Sequence, residues 1–104
     1  MAEVLLTYTS PVLADDGTSY RAQACGAPNR NGLWEGWIEF VPVDGGGPPL
    51  CSSRETTQPN RTDAEYWATG LTPVYLEGAL HRTRHPLVRK VRRTPPDSCP
   101  ARSR

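Results

Sequence analysis

A polar run of eight residues, Arg54 to Arg61, carries the densest group of side chains that could bind a ligand. Arginine binds phosphates and carboxylates in bidentate geometry, and the unpaired N–H groups at a helix start favour anions. The capping-box pattern Thr62–Glu65 predicts that a helix begins at Asp63 with Thr62 as its cap. We therefore predict a ligand-binding or partner-binding surface made of Arg54, Glu55, Gln58, Asn60 and Arg61. The alternative interpretation is ordinary turn and cap chemistry.

Trp37 lies between Glu35 and Glu39 in the most regular predicted strand. Alternation along this strand places the better core-forming side chains on the other face, namely Trp34, Ile38 and Phe40. An exposed Trp beside two carboxylates is typical of a protein-binding patch, because Trp is enriched at interface hot spots. We predict that Trp37, Glu35 and Glu39 belong to the binding surface. The alternative is that the C-terminal tail or the Arg54 side chain covers Trp37.

His81 and His85 have the spacing of a metal-binding pair on a helix. A metal site needs three or four ordered ligands, and the sequence places no third ligand close to this pair. Pro86 also disfavours helical backbone at His85. We expect neither a metal nor another cofactor. The chain lacks the local motifs of nucleophilic triads, phosphate-binding loops and dinucleotide-binding turns, so the sequence favours a protein without enzymatic activity.

Charge is distributed unevenly along the chain. Residues 1–81 carry four basic and ten acidic side chains, whereas residues 82–104 carry eight basic side chains and one acidic side chain. Basic arms bind phosphate backbones without sequence specificity, so an alternative function is nucleic-acid binding through Arg84, Arg89, Lys90, Arg92 and Arg93. Against this, the basic segment lacks aromatic side chains that stack on bases, and the acidic body would repel nucleic acid.

The three cysteines, Cys25, Cys51 and Cys99, have spacings that match no zinc or redox motif. Cys25 and Cys51 fall in predicted strands and could pair, but buried thiols in a reducing compartment are the more economical interpretation. The N-terminal segment has no basic region and too short an apolar run for a signal peptide. No segment has the length of a membrane span. We predict a cytoplasmic protein that does not enter membranes.

Four strands are predicted from apolar and β-branched residues that alternate with polar ones. They are Val4–Thr9, Ser19–Cys25, Leu33–Val43 and Leu50–Thr57. Loops rich in Gly, Pro, Asp and Asn separate them. Consecutive strands with short connections usually pair as an antiparallel meander, so we predict a four-stranded antiparallel sheet.

One apolar stripe runs from Asp63 to about Thr83 and predicts helix. Pro73 interrupts it, because proline in a helix interior removes a hydrogen bond and clashes with the preceding turn. Thr72-Pro73 also fits a cap followed by proline at the first helical position. The alternatives are one helix kinked at Pro73 or two helices broken at 70–72. The unchanged phase of the stripe favours the kinked helix.

These elements predict an α+β domain, residues 1–83, in which a C-terminal helix packs on one face of a four-stranded antiparallel meander. Residues 84–104 are rich in Pro and Arg and predict a flexible basic tail. The leading functional hypothesis is a small non-enzymatic module that binds a protein partner or forms a homodimer. The alternatives are nucleic-acid binding through the tail, and an anionic-ligand receptor or enzyme at the helix start.

Overall fold

The structure is a computed structural model that describes residues 2–85 and Cys99. Six strands form one antiparallel sheet: β1 (Glu3–Thr7), β2 (Val12–Leu13), β3 (Ser19–Pro28), β4 (Trp34–Pro42), β5 (Leu50–Cys51) and β6 (Thr56–Gln58). Strands β1, β3, β4 and β5 are neighbours in that order, while β2 pairs with β3 and β6 pairs with β4. The predicted meander is confirmed. Strand β2 lies in a segment predicted as a loop, and the predicted fourth strand is divided into β5 and β6.

The β3–β4 hairpin forms the centre of the sheet. Its strands pair from Tyr20 opposite Pro42 to Pro28 opposite Trp34. At the turn, the side-chain oxygen of Asn29 accepts hydrogen bonds from the backbone N–H groups of residues 31 and 33, at 2.9 and 3.1 Å. Gly32 adopts φ +82°, a left-handed conformation that glycine takes at no steric cost. The turn thereby fixes the register along both strands.

Two separate helices follow the sheet, α1 (Arg61–Thr69) and α2 (Pro73–Arg84). The favoured prediction of one kinked helix is wrong, and the two-helix alternative is correct. Thr72 has an extended backbone, with φ −98° and ψ 163°, and its side chain accepts from the N–H of Tyr75. The residue before a proline disfavours the helical conformation. Thr72 is therefore non-helical, separates α1 from α2 and caps α2.

The helices cover one face of the sheet. Ile38 and Phe40 of β4 are fully buried there in a cluster with Leu76 of α2, which confirms them as core residues. Trp67 of α1 lies directly over Gly36, where an added Cβ would stand only 2.8 Å from the Trp67 ring. The absence of a side chain at residue 36 therefore lets α1 approach the sheet closely.

The other face of the sheet carries a second, smaller cluster of Ala2, Cys25, Trp37 and Cys51. Cys99 packs against this cluster and forms a disulfide with Cys51 across 48 residues of sequence. The expectation of buried reduced thiols is wrong for Cys51 and Cys99, and the alternative pairing of Cys25 with Cys51 is wrong as well. The C-terminal segment is thus attached covalently to the sheet.

The α+β prediction of one sheet with helix packed on it is confirmed, with two helices in place of one. Within residues 2–85, no helix is both long and apolar enough to cross a membrane. Residues 86–98 and 100–104 of the predicted tail lie outside the described part of the chain. The domain boundary at residue 83 therefore stays a prediction.

Candidate binding surface

Arg54 is the most exposed charged member of the predicted surface. Its side chain is 62% exposed, and its nearest carboxylate is Glu35, with 3.8 Å between Nη1 and Oε2. Glu35 also accepts a hydrogen bond of 3.1 Å from the side-chain amide of Asn29. An exposed ion pair of this length contributes little to stability. The Arg54 guanidinium is therefore only weakly engaged within the chain.

Glu55 connects the sheet to α2. Its side chain is 9% exposed, and its carboxylate accepts hydrogen bonds from the Tyr75 hydroxyl and from Nη2 of Arg82, the latter at 3.1 and 3.2 Å. The Arg82 guanidinium also lies 5.8 Å from the centre of the Tyr75 ring. Burial, and then the hydrogen bond to Glu55, raises the pKa of Tyr75. Glu55 thus fixes the positions of an aromatic ring and a guanidinium on α2.

Tyr75 and Arg82 are functional candidates that the sequence did not reveal. They are separated by seven residues, a spacing that puts them on the same helix face. The spacing could have identified Tyr75 and Arg82 as neighbours on one helix face, but their contact with Glu55 depends on the tertiary fold. We use the name Glu35–Arg82 surface for two groups of side chains, Arg54 with Glu35, and Tyr75 with Arg82 around Glu55, which are connected through the consecutive residues Arg54 and Glu55.

Gln58, Asn60 and Arg61 have structural partners. Gln58 donates to the hydroxyl of Thr56 at 2.8 Å, and Asn60 accepts from the N–H of residue 63 at 2.8 Å as the N-cap of α1. Arg61 donates to Glu3 at 3.0 and 2.8 Å, and it pairs with Glu65. The predicted cap, Thr62, is therefore wrong by two residues. For these three side chains the geometry agrees with turn and cap chemistry.

Trp37 and Glu39 are buried, contrary to the prediction that they are exposed. Trp37 is 8% exposed and Glu39 is 2% exposed. Glu39 accepts a hydrogen bond of 2.9 Å from the side-chain amide of Gln23. Cys99 packs against the cluster that contains Trp37, and residues 86–98 and 100–104 of the predicted tail lie outside the described residues. Neither side chain can contact a partner without rearrangement of this face.

Of the residues predicted for nucleic-acid binding, the structure describes Arg84. Its guanidinium donates to both carboxylate oxygens of Asp16, at 3.2 and 3.0 Å. The other four, Arg89, Lys90, Arg92 and Arg93, lie outside the described residues. The Arg84 hydrogen bond, and then the N–H of Thr18, hold the pKa of Asp16 well below its usual range. Arg84 is thus already occupied by an acidic partner.

A small cleft lies between the segment that joins β1 to β2 and the start of α2. Its volume is about 150 Å³, and its lining includes Tyr8, Pro11, Leu71 and Pro73. Pockets for small-molecule ligands usually measure about 300–1,000 Å³. Burial raises the pKa of Tyr8 to about 12, and its hydroxyl donates to the carbonyl of Ala68 at 2.6 Å. The cleft is thus smaller than a usual ligand pocket, and the hydroxyl of Tyr8 is already hydrogen-bonded to α1.

Buried polar groups offer no further ligand site in the described residues. Among residues 2–85 and 99, every buried side-chain nitrogen or oxygen has a hydrogen-bond partner. A buried site for a polar ligand usually shows convergent polar groups inside a pocket.

Comparisons with known proteins gave no match among protein-family models, curated proteins or solved structures. We therefore infer function from the side chains and their arrangement.

Proposed function

We propose that the protein is a small non-enzymatic module that self-associates through the Glu35–Arg82 surface. The observation that carries this proposal is the exposed guanidinium of Arg54, which lies 3.8 Å from Glu35. Arg and Tyr are enriched among the residues that dominate interface binding energy. Arg54, Tyr75 and Arg82 supply these residue types, and Glu55 holds Tyr75 and Arg82 in place. Pre-organised side chains lose less conformational entropy on binding.

A second copy of the chain is the partner that the charges favour. The surface carries both signs, with Arg54 and Arg82 beside the carboxylates of Glu35 and Glu55. A twofold interface brings the same patch of both subunits together, so the patch must complement itself. In such a dimer, Arg54 of each subunit would meet Glu35 of the other. This exchange replaces a long internal ion pair by an intermolecular one.

Charge reversal in two separate variants tests the proposal. We expect Arg54→Glu and Glu35→Arg each to weaken self-association, because each variant places like charges opposite one another across the twofold axis. Mixing the two variants should restore association, because both cross-subunit contacts in the mixed dimer are then between opposite charges. Sedimentation velocity over a range of protein concentrations measures each case. Added salt should weaken the association, since it screens exposed charges.

Arg21→Glu is the matched control, because it makes the same change in charge at an exposed position on β3. It should leave the sedimentation profile unchanged. A wild-type chain that sediments as a monomer at all concentrations would refute self-association. Equal behaviour of the mixed and the separate variants would refute this surface as the interface.

We also propose that the protein is cytoplasmic, and the redox state of Cys51 and Cys99 in cells tests this location. A reduced pair would agree with the cytoplasmic location expected from the sequence, whereas the disulfide is favoured in an oxidising compartment. Because Cys51 is buried, cells are quenched with acid and the protein is denatured before its thiols are alkylated, and mass measurement then distinguishes the two states. Labelling of both residues would support a cytoplasmic location, and protection of both would contradict it.

A further inference from the structure

The two histidines of the chain are four residues apart at the end of α2. The backbone N–H of His85 donates to the carbonyl of His81 at 2.9 Å, so helical spacing extends to the C-cap. Side chains four apart on a helix lie on the same face. The two imidazole rings are accordingly neighbours, with 4.6 Å between their centroids. Both side chains are exposed, so they can rotate towards a common ligand.

Asp15 reaches this pair from the turn between β2 and β3. Its Oδ2 lies 3.1 Å from Nε2 of His85, 70 residues away in sequence. Donor atoms of Asp15, His81 and His85 all lie within 4.8 Å of one another. The sequence prediction of no metal site depended on the lack of a third ligand near the histidines. The fold supplies that ligand from a distant turn.

Hydrogen bonds hold the turn that presents Asp15. Ala14 donates its N–H to Thr18 at 2.9 Å, and Gly17 donates to Ala14 at 3.0 Å. The neighbouring carboxylate, Asp16, is bound to Arg84. That ion pair joins the turn to α2 at the residue directly before His85. The contacts of the neighbouring residues Ala14, Asp16 and Gly17 therefore hold Asp15 close to the histidines.

We propose that Asp15, His81 and His85 form a binding site for a divalent transition-metal ion of the Zn²⁺ class. Imidazole is a good ligand for Zn²⁺, Cu²⁺ and Ni²⁺, and two His with one carboxylate is an established zinc donor set. Ligand atoms around a tetrahedral zinc ion are about 3.4 Å apart, given bond lengths of about 2.1 Å. Exposed side chains reach this spacing from within 4.8 Å by rotation. Three protein ligands leave a fourth position for water.

Within residues 2–85 and 99, a second group of metal-ligating side chains is already engaged in a covalent bond. Glu39, Cys51 and Cys99 also have donor atoms within 4.8 Å of one another, but the two sulfurs are joined in a disulfide. Zinc binds thiolates, so the disulfide removes this group from competition. A test with the oxidised protein therefore reports on the histidine site.

The experiment uses the full-length oxidised chain without a polyhistidine tag and titrates it with Zn²⁺ alone. Calorimetry should give one equivalent of binding. Because the chain contains two histidines, both imidazole ¹⁵N signals in NMR spectra can be followed individually, and both should shift with the same dependence on zinc concentration. Asp15→Asn should weaken binding at least about tenfold, since even outer-shell changes cost about 10–100-fold in metal affinity. His81→Gln should weaken it further.

Asp44→Asn is the matched control, because Asp44 is an exposed carboxylate in another turn. It should bind zinc like the wild-type chain. Unchanged imidazole signals after zinc addition would overturn the proposal. Equal affinities of the wild type and Asp15→Asn would remove Asp15 from the site and overturn the three-ligand assignment. Circular dichroism of each variant confirms that the fold is retained, as expected for exposed side chains.

Discussion

At the scale of single residues, the ion pair between Asp16 and Arg84 joins the β2–β3 turn to the end of α2. Its hydrogen bonds lower the pKa of Asp16 in the folded state, while an unfolded chain has the ordinary value of about 3.9. A lowered folded-state pKa means that the stabilising contribution is fully present above the unfolded value. The contribution is lost as the pH falls below that value and through the folded-state pKa.

We therefore predict that Asp16→Asn and Arg84→Gln each lower the free energy of unfolding at neutral pH. The difference from the wild type should shrink steadily as the pH falls below about 4. Urea unfolding at several pH values measures this dependence. The double variant is the control, and it should be no less stable than the single variants, because either change removes the same pair. A difference that is independent of pH would contradict this account.

Trp37 illustrates what could be predicted at this scale and what could not. The two-residue period of a strand correctly separated it from Ile38 and Phe40 on the opposite face. The period does not say what covers each face. Trp37 is buried in a cluster with Ala2, Cys25 and Cys51, which are remote from it in sequence. The face of the sheet on which a side chain lies follows from local strand geometry, whereas its exposure depends on tertiary contacts.

At the scale of elements, the sequence predicts that α1 exists but places its start two residues too late, at Asp63 instead of Arg61. The capping-box pattern pointed to Thr62, yet Asn60 accepts the hydrogen bond from the N–H of Asp63. Asn and Thr are both good caps, and Asn is the better one. When a short polar run contains two candidate caps, the sequence does not determine which of the two adopts the extended backbone of an N-cap. For α2, the alternative interpretation with Thr72 as the cap is correct. Pro73 disfavours the helical backbone conformation in the residue before it.

We predict that Asn60→Ala lowers the free energy of unfolding by about 1 kcal/mol, the usual cost of losing a helix cap. Thr62→Ala is the matched control at an exposed position inside the first turn, and it should change stability by less than about 0.5 kcal/mol. Thermal and chemical unfolding of the two variants provide the comparison. A larger loss for Thr62→Ala would restore Thr62 as the cap and contradict the observed helix start.

At the scale of the whole molecule, both faces of the sheet are covered by different means. Packed helices cover one face, and Cys99 contributes to the cover of the other through its bond to Cys51. The sequence predicted the first layer from the apolar stripe. It did not predict the second, because cysteine pairing depends on which residues the fold brings together. A small domain buries a limited fraction of its surface, so a covalent link has a large relative effect.

The Cys51–Cys99 disulfide closes a loop of 48 residues, and constraint of the unfolded chain by such a loop stabilises the folded state by about 2–4 kcal/mol. We predict that Cys99→Ser lowers the free energy of unfolding by this amount and exposes Trp37 to solvent. Denaturant unfolding followed by tryptophan fluorescence measures both effects. A reducing agent should destabilise the wild type to the level of Cys99→Ser and leave that variant unchanged. A wild type whose stability is insensitive to reduction would contradict this stabilising role of the Cys51–Cys99 bond.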